Sequence, residues 1–537
     1  MRKIIIGVGS HAEIIASILK EHGEIFNYVS YNCEVKCEFP EYLGEFKPEN
    51  DCEYILAIGD NVERNKVFQS LPKLKWFNAI SSRAHVAENV VLGVGNTICS
   101  GSVVATKSVV GDHCILNTNS NIDHHNKIGS FVHIGPSTSL CGNVQIFDGV
   151  FLGVGCSVVP RISIRPWSFY KAHSLITTST APIPMYEPFL SEKQDSIITA
   201  WKSSWISSQG VYLEKTRDKL QQIFQTNVLL VNNGTSATHC LFLALKFKHN
   251  VKKIYLPDYV YVAVWNCALY EYKKEELSIG KVDPKTWNLD FDWIVENAEP
   301  NSAVVVVHNV GNIFRVDLLK SKRPDLIILE DLCEGLFGKI GDRFVGSDSF
   351  CSSVSFFANK TITSGEGGAV LTNDAEVYQY LKKVHNQGNT DKRYIHDVLG
   401  YNYRMTNLQA SLLYDQLGEL DTIIQLKKKV FDRYKNNLKG IVKTFKKDPE
   451  TQSGNWIISF RLPGKKFNDA STFFSSYGID IRPFFYPITV HKHLEGIERF
   501  ENDIKQEEII MFPSSPNLKE NEIDEICKRI IQFHKMT

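Results

Sequence analysis

The sequence lacks a net charge and a membrane-length apolar run. Lys and Arg together number 60, as do Asp and Glu, and no long run of one sign occurs. This balance argues against nucleic acid or a membrane as a partner and favours a small-molecule substrate. No apolar segment reaches the ~18–20 residues of a membrane span, and the segment after Met1 lacks a signal-peptide pattern. We therefore expect a soluble, cytoplasmic protein.

Paired-cysteine motifs are also missing. The twelve cysteines are scattered without a CxxC motif, and the one closely spaced pair is Cys33 and Cys37. This distribution favours buried free thiols in a reducing compartment over disulfides or a metal site, so we expect no metal. A chain of 537 residues is too long for one ordinary core at roughly 100–200 residues per domain, which predicts several domains.

The clearest pattern that is present is a six-residue repeat. Neither a helix, with its period of 3.6, nor a strand, with its period of 2, requires this spacing, so the chain must coil with one inward aliphatic per six residues. Small residues two positions before each aliphatic allow narrow corners to close. The repeat predicts a left-handed parallel β-helix over residues 81–173. Its aliphatic residues are Val86, Leu92, Ile98, Val104, Val110, Leu116, Ile122, Ile128, Ile134, Leu140, Ile146, Leu152, Val158 and Ile164.

Residues 1–80 alternate strand and helix patterns and predict a small Rossmann-like α/β domain that binds a nucleotide. The predicted elements are a strand at Lys3–Val8, a helix at His11–His22, a strand at Glu53–Ile58 and a helix at Asn61–Ser70. The first turn reads G-x-G-x-x-A from Gly7, a form that brings backbone N–H groups to a phosphate. No acidic residue ends the second strand, so a nucleotide other than a dinucleotide fits better. A plain tight turn is the alternative.

The remainder of the chain predicts a second α/β domain. Residues 174–188 are rich in Ser, Thr and Pro and are interpreted as a linker. From 189 to 537 apolar strands, such as Ala303–Val307 and Leu326–Leu329, alternate with helical stretches such as Met405–Leu420. This domain is long enough to bury its own core.

The densest chemistry of the second domain surrounds Lys360. A lysine in a glycine-rich, apolar turn is partly desolvated, which frees its amine for Schiff-base formation. Asp331 ends the strand LIILE, where a carboxylate holds a pyridinium nitrogen protonated. The segment Asn233–Ala237 offers backbone N–H groups and two hydroxyls to a phosphate before a helix. Together these features fit pyridoxal 5′-phosphate.

Residues 183–537 resemble the DegT/DnrJ/EryC1/StrS sugar aminotransferases, a fold-type I family that uses pyridoxal phosphate. The resemblance implies that Lys360 forms a Schiff base with the cofactor, that Asp331 binds its pyridine nitrogen and that Tyr261 stacks on its ring. Glu334 lies where many members carry Gln or His beside the pyridine hydroxyl, and L-glutamate is the implied amino donor. Some members replace the lysine with His and dehydrate; Lys360 favours transamination. The implied phosphate ligands are Gly234, Thr235, Ser236, Ser355 and, from a neighbouring subunit, Asn402; Trp205, Ser207 and Arg482 would contact the sugar nucleotide.

Most positions directly after a repeat aliphatic are small, whereas Ile122 is followed by Asp123-His124-His125. A carboxylate next to a histidine fixes the imidazole tautomer and raises its basicity, which suits a general base. His133, half a coil further on, is predicted to lie near the same site. The alternative is a solvated histidine pair.

Residues 1–175 resemble sialic-acid and bacillosamine-type sugar O- and N-acyltransferases. The resemblance implies that His124 is the base, with Asp123 in place of the usual Glu, and that acetyl-CoA lies along the coils near His133 and Gly142. Two family features are missing: the acidic pair after the second strand and the G-x-P-A-K sequence after the coil. The residues implied to bind the nucleotide sugar are Gly9, His11, Gly59, Asp60, Asn61, Arg64 and Asn117.

The two halves together predict a bifunctional enzyme. It would transaminate C4 of a UDP-4-keto-6-deoxy-N-acetylhexosamine and then N-acetylate the amine, giving a product of the UDP-di-N-acetylbacillosamine type. The alternatives are a GDP- or dTDP-linked substrate of the perosamine or viosamine type, an O-acetyltransferase fused to a C3 aminotransferase, and a non-catalytic sensor. Because such coils trimerise and such cofactor sites need dimers, we expect a homo-oligomer, with a hexamer combining both axes.

Overall fold

The computed structural model describes residues 2–31, 42–49, 51–177, 180, 182–191, 194–502 and 504–536. The chain divides into two compact units. One comprises Met1–Ile183 with Phe473–Ile479, and the other Pro184–Thr472 with Asp480–Thr537. Cys33 and Cys37 lie outside the described residues. The ten described cysteines are free thiols, and eight of them are buried.

The chain begins with a small α/β domain, close to the predicted strands and helices. A four-stranded parallel sheet of order β3-β2-β1-β4 carries its core. Ile5 on the sheet and Ile15 and Leu19 on the first helix are buried against one another. The elements are β1 (Arg2–Ile6), α1 (Ser10–Glu21), β2 (Phe26–Ser30), β3 (Tyr42–Glu45), β4 (Cys52–Leu56) and α2 (Asn61–Ser70).

The six-residue repeat forms a parallel β-helix, as predicted. Its two-residue strands pair with the strands 18 residues before and after them, which gives three parallel sheets around one core. Every aliphatic of the repeat from Ile98 to Ile164 is at most 3% exposed. The strands are β5 (Ala79–Ile80), β6 (His85–Val86), β7 (Val91–Leu92), β8 (Thr97–Ile98), β9 (Val103–Val104), β10 (Val109–Val110), β11 (Ile115–Leu116), β12 (Asn121–Ile122), β13 (Lys127–Ile128), β14 (His133–Ile134), β15 (Ser139–Leu140), β16 (Gln145–Ile146), β17 (Phe151–Leu152), β18 (Ser157–Val158), β19 (Ser163–Ile164), β20 (Phe169–Tyr170) and β21 (Leu175–Ile176).

Strand β21 lies in the segment whose composition predicts a linker. Leu175 pairs with Ser157 and Ile176 pairs with Val158. Ile176 also continues the six-residue register of the inward aliphatic residues beyond Ile164, and it is buried. The register therefore decides the local structure here, and the Ser/Thr/Pro-rich composition does not.

At the corners of the coil, a residue with positive φ precedes a residue whose side chain points inward. A residue with positive φ recurs every six positions from Gly95 to His173, including Lys107, Asn119 and His125. The residue that follows points inward and is buried at each corner up to residue 162. At several corners it is polar and pairs with backbone of the next coil, because a buried N–H group without a partner is costly. Asn126 is an example: its Oδ1 accepts the Val144 N–H at 2.6 Å.

The second unit is built around an eight-stranded sheet, order β22-β30-β29-β26-β25-β23-β24-β34, in which β30 alone runs antiparallel to its neighbours. Two three-stranded sheets, β28-β27-β31 and β32-β35-β33, complete it. The elements are α3 (Asp195–Lys202), α4 (Val211–Phe224), β22 (Asn227–Val231), α5 (Gly234–Lys248), β23 (Ile254–Leu256), α6 (Ala263–Glu271), β24 (Leu277–Ile279), α7 (Phe291–Asn297), β25 (Ala303–Val307), α8 (Val316–Lys322), β26 (Ile327–Asp331), β27 (Lys339–Ile340), β28 (Arg343–Phe344), β29 (Cys351–Ser355), β30 (Gly368–Thr372), α9 (Ala375–Val384), α10 (Asn407–Gly418), α11 (Leu420–Asn437), β31 (Thr451–Gln452), β32 (Ser459–Arg461), α12 (Phe467–Ser476), β33 (Arg482–Pro483), β34 (Glu498–Arg499), β35 (Ile509–Met511) and α13 (Glu520–Lys535).

The sheet of the second unit is buried on both faces. Every residue of β25 is buried, as expected of a central parallel strand covered by helices. The predicted strand at Ala303–Val307 has the same bounds in the structure, and the predicted helix at Met405–Leu420 is α10. In the described part of the chain, no helix combines the length and the apolar character needed to cross a bilayer.

Asn126→Ala is expected to destabilise the coil by about 1–3 kcal/mol, because it leaves the buried Val144 N–H without an acceptor. Urea unfolding of the variant measures the change. Lys127→Ala is the matched control: its side chain is exposed in the adjacent position, so it should change the free energy of unfolding by less than about 0.5 kcal/mol. Equal losses in both variants would contradict the role of Asn126.

Candidate active sites

The second unit contains a cavity of 700 Å³ at the carboxyl ends of its parallel strands. Its wall is formed by loops that follow β25, β26 and β29 and by the first turn of α5, the edge where α/β proteins bind ligands. The predicted site residues that line this cavity are Gly234, Thr235, Tyr261, Asp331, Glu334, Ser355, Lys360 and Arg482.

Lys360 is held in the cavity wall by two aromatic residues. Its Nζ lies 4.0 Å from the centroid of the Trp456 ring, a cation–π contact. The Trp456 indole N–H donates to the carbonyl of Asn359 at 2.9 Å, and the Tyr186 hydroxyl donates to the carbonyl of Lys360 at 3.0 Å. Backbone and side chain of the lysine are thus both positioned.

Two carboxylates face this lysine from the end of β26. Asp331 is buried, and its Oδ1 accepts the Cys333 N–H at 2.8 Å. Glu334 is 3% exposed, and its Oε2 accepts the Val310 N–H at 2.7 Å. Burial raises the pKa of Glu334 to about 7, although the Lys360 ammonium opposes this shift.

The bond from Glu334 stabilises a strained turn. Val310 has φ of 49°, a left-handed conformation that is unfavourable for a β-branched residue. Asn309 also supports this turn, since its Nδ2 donates to the carbonyls of Tyr259 and Trp287. The Glu334 carboxylate therefore shapes the cavity wall as well as facing its interior.

The part of the cavity wall formed by the start of α5 is suited to a phosphate. Asn233 caps α5 by accepting the Ser236 N–H at 2.8 Å, which leaves the positive end of the helix dipole facing the cavity. A Cβ added at Gly234 would lie 2.6 Å from the Ser355 Cβ, so only glycine allows this close approach. Ser236 is buried in the cap, and Thr235 lies at the cavity itself.

These features fit pyridoxal phosphate. Asp331 and Glu334 supply carboxylates, Lys360 supplies an amine, and the start of α5 supplies backbone N–H groups in one cavity, which are the groups that the predicted cofactor roles require. The buried Oδ1 of Asn359, also at the cavity, lacks a hydrogen-bond partner within the described residues. An orphaned acceptor in a polar cavity is expected where a ligand completes the hydrogen bonding.

Several site residues that the family resemblance implies are exposed or lie outside the cavity around Lys360. Tyr261 lines the cavity but is 60% exposed, with Phe485 as its ring neighbour. Trp205 is exposed in a separate groove beside α3, and the Ser207 carbonyl accepts the Asn407 N–H. Asn402 is exposed and absent from the residues lining the cavity, as expected if it serves a neighbouring subunit.

The first unit has a cavity of 610 Å³ at the carboxyl ends of β1, β2 and β4. Gly7, with φ of 131°, allows the chain to pass close to Ala57: a Cβ there would lie 2.8 Å from the Ala57 carbonyl oxygen. Gly9 is the N-cap of α1, and it is exposed, with no atom from outside its local chain within 4 Å of a Cβ added there. This glycine turn is therefore accessible to a phosphate.

Arg64 and Asn61 join the α/β domain to the coil. Arg64 is 1% exposed, and its guanidinium donates to the carbonyls of Ile58, Gly59, His113 and Phe131 and to Asn61 Oδ1. Asn61 Nδ2 donates to the carbonyls of Gly149 and Val150, and Asp60 caps α2. All five guanidinium N–H groups are used inside the protein, which is a structural role; burial lowers the pKa of Arg64 to about 10.

Two predicted site histidines lie beside this arginine. His133 Nε2 contacts Asn117 Nδ2 at 3.2 Å, and its Nδ1 lies 3.4 Å from the Gly59 carbonyl. Burial and the Arg64 charge lower the pKa of His133 to about 4 and that of His11 to about 3. Both imidazoles are thus neutral at physiological pH, which suits hydrogen bonding to a ligand.

The Asp123–His124 pair differs in geometry from the expected one. Asp123 Oδ1 accepts the His124 backbone N–H, and Oδ2 lies 3.9 Å from His124 Nε2. His124 Nδ1 instead contacts His125 Nδ1 at 3.0 Å. The carboxylate caps the tight corner, so His125 orients the ring. Gly142 leaves room for that ring, since a Cβ there would lie 2.4 Å from His124 Cε1.

Within one chain, His133 lies in one sheet of the coil, whereas His124 lies at a corner after a strand of another sheet. His133 is in β14, paired with β11 and β17, whereas His124 follows β12, paired with β9 and β15. The side chain of His133 packs on Phe151 and contacts Asn117. The face assignment follows from the 18-residue period, which the sequence displays.

Sequence reasoning missed Trp456 and Tyr186. Both contact Lys360, but they lie 96 and 174 positions away from it in the chain. No local motif surrounds either residue that would have singled it out.

The cavity and its lysine define a fold-type I enzyme that uses pyridoxal phosphate. Residues 190–531 match the DegT/DnrJ/EryC1/StrS aminotransferase family, and the chain belongs to this family. Residues 3–71 match the PglD N-terminal domain, which confirms the predicted resemblance of the first α/β domain.

Individual relatives agree with this assignment. The chain is 31% identical over 365 residues to a GDP-perosamine synthase from Escherichia coli O157:H7, an alignment that covers 66% of this chain and 98% of the relative. A GDP-perosamine synthase from Vibrio cholerae is 30% identical, with 65% and 99% covered. The solved structure of Helicobacter pylori PseC superposes with a TM-score of 0.59 at 20% identity and covers 66% of this chain and 99% of its own. At this identity the likeness supports the fold and nothing further.

The raised pKa of Glu334 predicts a pH-dependent stability. Between about pH 4.5 and pH 7 the native state binds more protons than the unfolded state, so stability falls as pH rises through this window. The loss from this one group is up to about 3 kcal/mol. Melting of the cofactor-free protein should therefore show that Glu334→Gln is stabilising relative to wild type at pH 8 and near neutral at pH 5.

Glu366→Gln provides the control, because it changes an exposed carboxylate of the same cavity. Its effect should not vary with pH. If the difference between Glu334→Gln and wild type stayed constant from pH 5 to pH 8, the buried carboxylate would not titrate in this range.

Proposed function

We propose that the protein is a bifunctional nucleotide-sugar enzyme that installs an amine on a keto sugar and then acetylates it. The observation that carries the proposal is the presence in one chain of Lys360, in a cavity with Asp331 and Glu334, and of His124, in contact with His125 at a corner of the β-helix. The product of the first reaction has the nucleophile that the second requires.

The amination half places its proton-transfer group at the cavity wall. When bound, pyridoxal phosphate supplies an electron sink for the carbanion formed at the substrate carbon. Asp331 keeps the ring nitrogen protonated, and the start of α5 binds the phosphate. The Lys360 amine takes the proton from Cα of L-glutamate and, in the second half-reaction, delivers a proton to C4 of the sugar.

The acetylation half needs one base. Nε2 of His124 accepts a proton from the sugar amine as its nitrogen attacks the acetyl-CoA carbonyl and the new C–N bond forms. The C–S bond then breaks, and the His124 imidazolium returns the proton to the departing sulfur, which releases the thiol of coenzyme A. Acceptance at Nε2 requires the imidazole proton on Nδ1, which His125 Nδ1 is placed to accept at 3.0 Å. Asp123, 3.9 Å from Nε2, favours the imidazolium that forms.

The cofactor site is proposed to be shared between two subunits. Asn402 is exposed on the segment before α10 and does not line the cavity of its own chain. In a dimer its amide would reach the phosphate of the neighbouring site. With trimers of the coil, such dimers would give a homohexamer.

The substrate of the proposal is a UDP-4-keto-6-deoxy-N-acetylhexosamine, and the product is of the UDP-di-N-acetylbacillosamine type. The match of residues 3–71 to the PglD N-terminal domain supports this choice. The GDP-perosamine synthase relatives support a second candidate, a GDP-linked 4-keto-6-deoxy sugar.

A panel of UDP-, GDP- and dTDP-linked 4-keto-6-deoxy sugars decides between these candidates. With L-glutamate and acetyl-CoA, mass spectrometry should show first the mass of the amino sugar and then that of its acetylated form, with the UDP substrate turned over fastest. Amination without acetylation of any substrate would contradict the bifunctional proposal, and preference for the GDP sugar would select the second candidate.

Two single substitutions should separate the activities. Lys360→Ala is expected to lower amination by at least about a thousandfold, because it removes the proton-transfer group. It should leave acetylation of a supplied 4-amino sugar within twofold. His124→Ala is expected to lower acetylation by at least about a thousandfold and to leave amination within twofold. Steady-state assays of each half-reaction measure both.

Each variant has a matched control. Lys360→Arg keeps a cation above Trp456 but supplies no amine for a Schiff base, so amination should be lost as in the alanine variant. His125→Ala removes only the orienting neighbour and should lower acetylation less than His124→Ala does. Loss of both activities in either alanine variant would argue against two separate sites.

A further inference from the structure

Lys427 is a buried cation that the proposed reactions do not use. It lies on α11 with 1% of its surface exposed. Its ammonium donates to the carbonyls of Trp456 at 2.6 Å and Ser514 at 2.9 Å. The ring centroids of Tyr186 and Phe431 lie 4.9 and 5.6 Å from its Nζ. Within the described residues it forms no ion pair.

Burial of an ammonium without a carboxylate is unfavourable, because carbonyl dipoles and ring faces replace only part of its hydration. Burial accordingly lowers the pKa of Lys427 to about 7. A methionine of similar length would fill the same space without this cost. What methionine lacks is the ability to hold two backbone carbonyls and two aromatic rings in fixed positions.

The groups that Lys427 holds are those that hold Lys360. The Trp456 ring lies over the Lys360 ammonium at 4.0 Å, and the Tyr186 hydroxyl donates to the Lys360 carbonyl at 3.0 Å. Trp456 also donates to the carbonyl of Asn359, the residue before Lys360. Two independent paths, one through each aromatic residue, therefore connect Lys427 with the lysine at the cavity.

We propose that Lys427 is a positioning residue that fixes Trp456 and Tyr186 and thereby aims the Lys360 amine into the cofactor cavity. The inference rests on the proposed role of Lys360. Lys427 touches neither substrate nor cofactor; it acts on the direction and mobility of the Lys360 side chain. Small displacements of a reacting group have large effects on the rate of bond formation.

The test separates covalent attachment of the cofactor from its non-covalent binding. Stopped-flow absorbance follows the covalent attachment of pyridoxal phosphate to cofactor-free protein, and a binding titration measures the affinity for pyridoxamine phosphate, which has no aldehyde. In Lys427→Met, attachment should be slowed about tenfold while the dissociation constant for pyridoxamine phosphate stays within twofold. Lys427→Arg should recover at least part of the rate.

Lys429→Met is the matched control, because Lys429 is exposed on the same helix; both constants should be unchanged. Trp456→Phe keeps Lys427 but removes the N–H bond to Asn359, and it should reproduce the slow attachment even if Lys427→Met does not fold. Attachment at the wild-type rate in either Lys427→Met or Trp456→Phe would overturn the inference. If Lys427→Met slowed attachment of pyridoxal phosphate and weakened binding of pyridoxamine phosphate by the same factor, the role of Lys427 would be generally structural and the inference would be wrong.

The same experiment tests the proposed function separately. If wild-type protein bound pyridoxamine phosphate but formed no covalent adduct at Lys360, the proposed role of that lysine would be wrong, and the inference about Lys427 with it. If wild-type protein attached the cofactor normally and only the Lys427 result failed, the proposed function would stand.

Discussion

Pairing of buried backbone N–H and C=O groups governs this structure wherever regular strands end. Strands of the coil are two residues long, so every coil has three corners whose backbone lies beside the core. Asn126 pairs with the Val144 N–H and with the Asp123 carbonyl. A polar residue at such a corner thus forms hydrogen bonds with buried backbone groups inside an apolar core. Small polar residues between the stacked aliphatic residues therefore do not destabilise the coil.

The same constraint accounts for the buried charged groups. Arg64 satisfies four backbone carbonyls between the α/β domain and the coil, Glu334 holds the N–H of a strained valine, and Lys427 holds the carbonyls of Trp456 and Ser514. In each case a charged side chain forms hydrogen bonds with irregular backbone. Burial then shifts the pKa of each group towards its neutral form, and Glu334 is the one of the three that lines a cavity.

The sequence predicts those parts of the structure that depend on local order. The period of six determines which residues point inward, and the helix at Asn61–Ser70 has its predicted bounds. Lys360, Asp331 and the start of α5 meet in one cavity because strand ends meet at one sheet edge. Trp456, Tyr186 and Lys427 escape prediction since their roles arise from contacts between segments far apart in the chain. The Asp123–His124 geometry escapes it for another reason: in a tight corner the nearest partner of the carboxylate is the backbone N–H.

The two candidate bases, Lys360 in a cavity and His124 at a corner of the coil, differ in their surroundings. The difference follows from the group that each would deprotonate. In the proposed reaction Lys360 removes a proton from carbon, so its position has to be controlled, and Trp456 and the two carboxylates surround it in the cavity. His124 must take a proton from an amine already activated by attack, a smaller demand that an imidazole with nearly half its side chain exposed is able to meet. In the proposal, a coil corner with a histidine neighbour serves for the second task. The first requires the long-range packing of a large α/β domain, in which burial of one further cation is tolerated because it fixes the lysine that performs the chemistry.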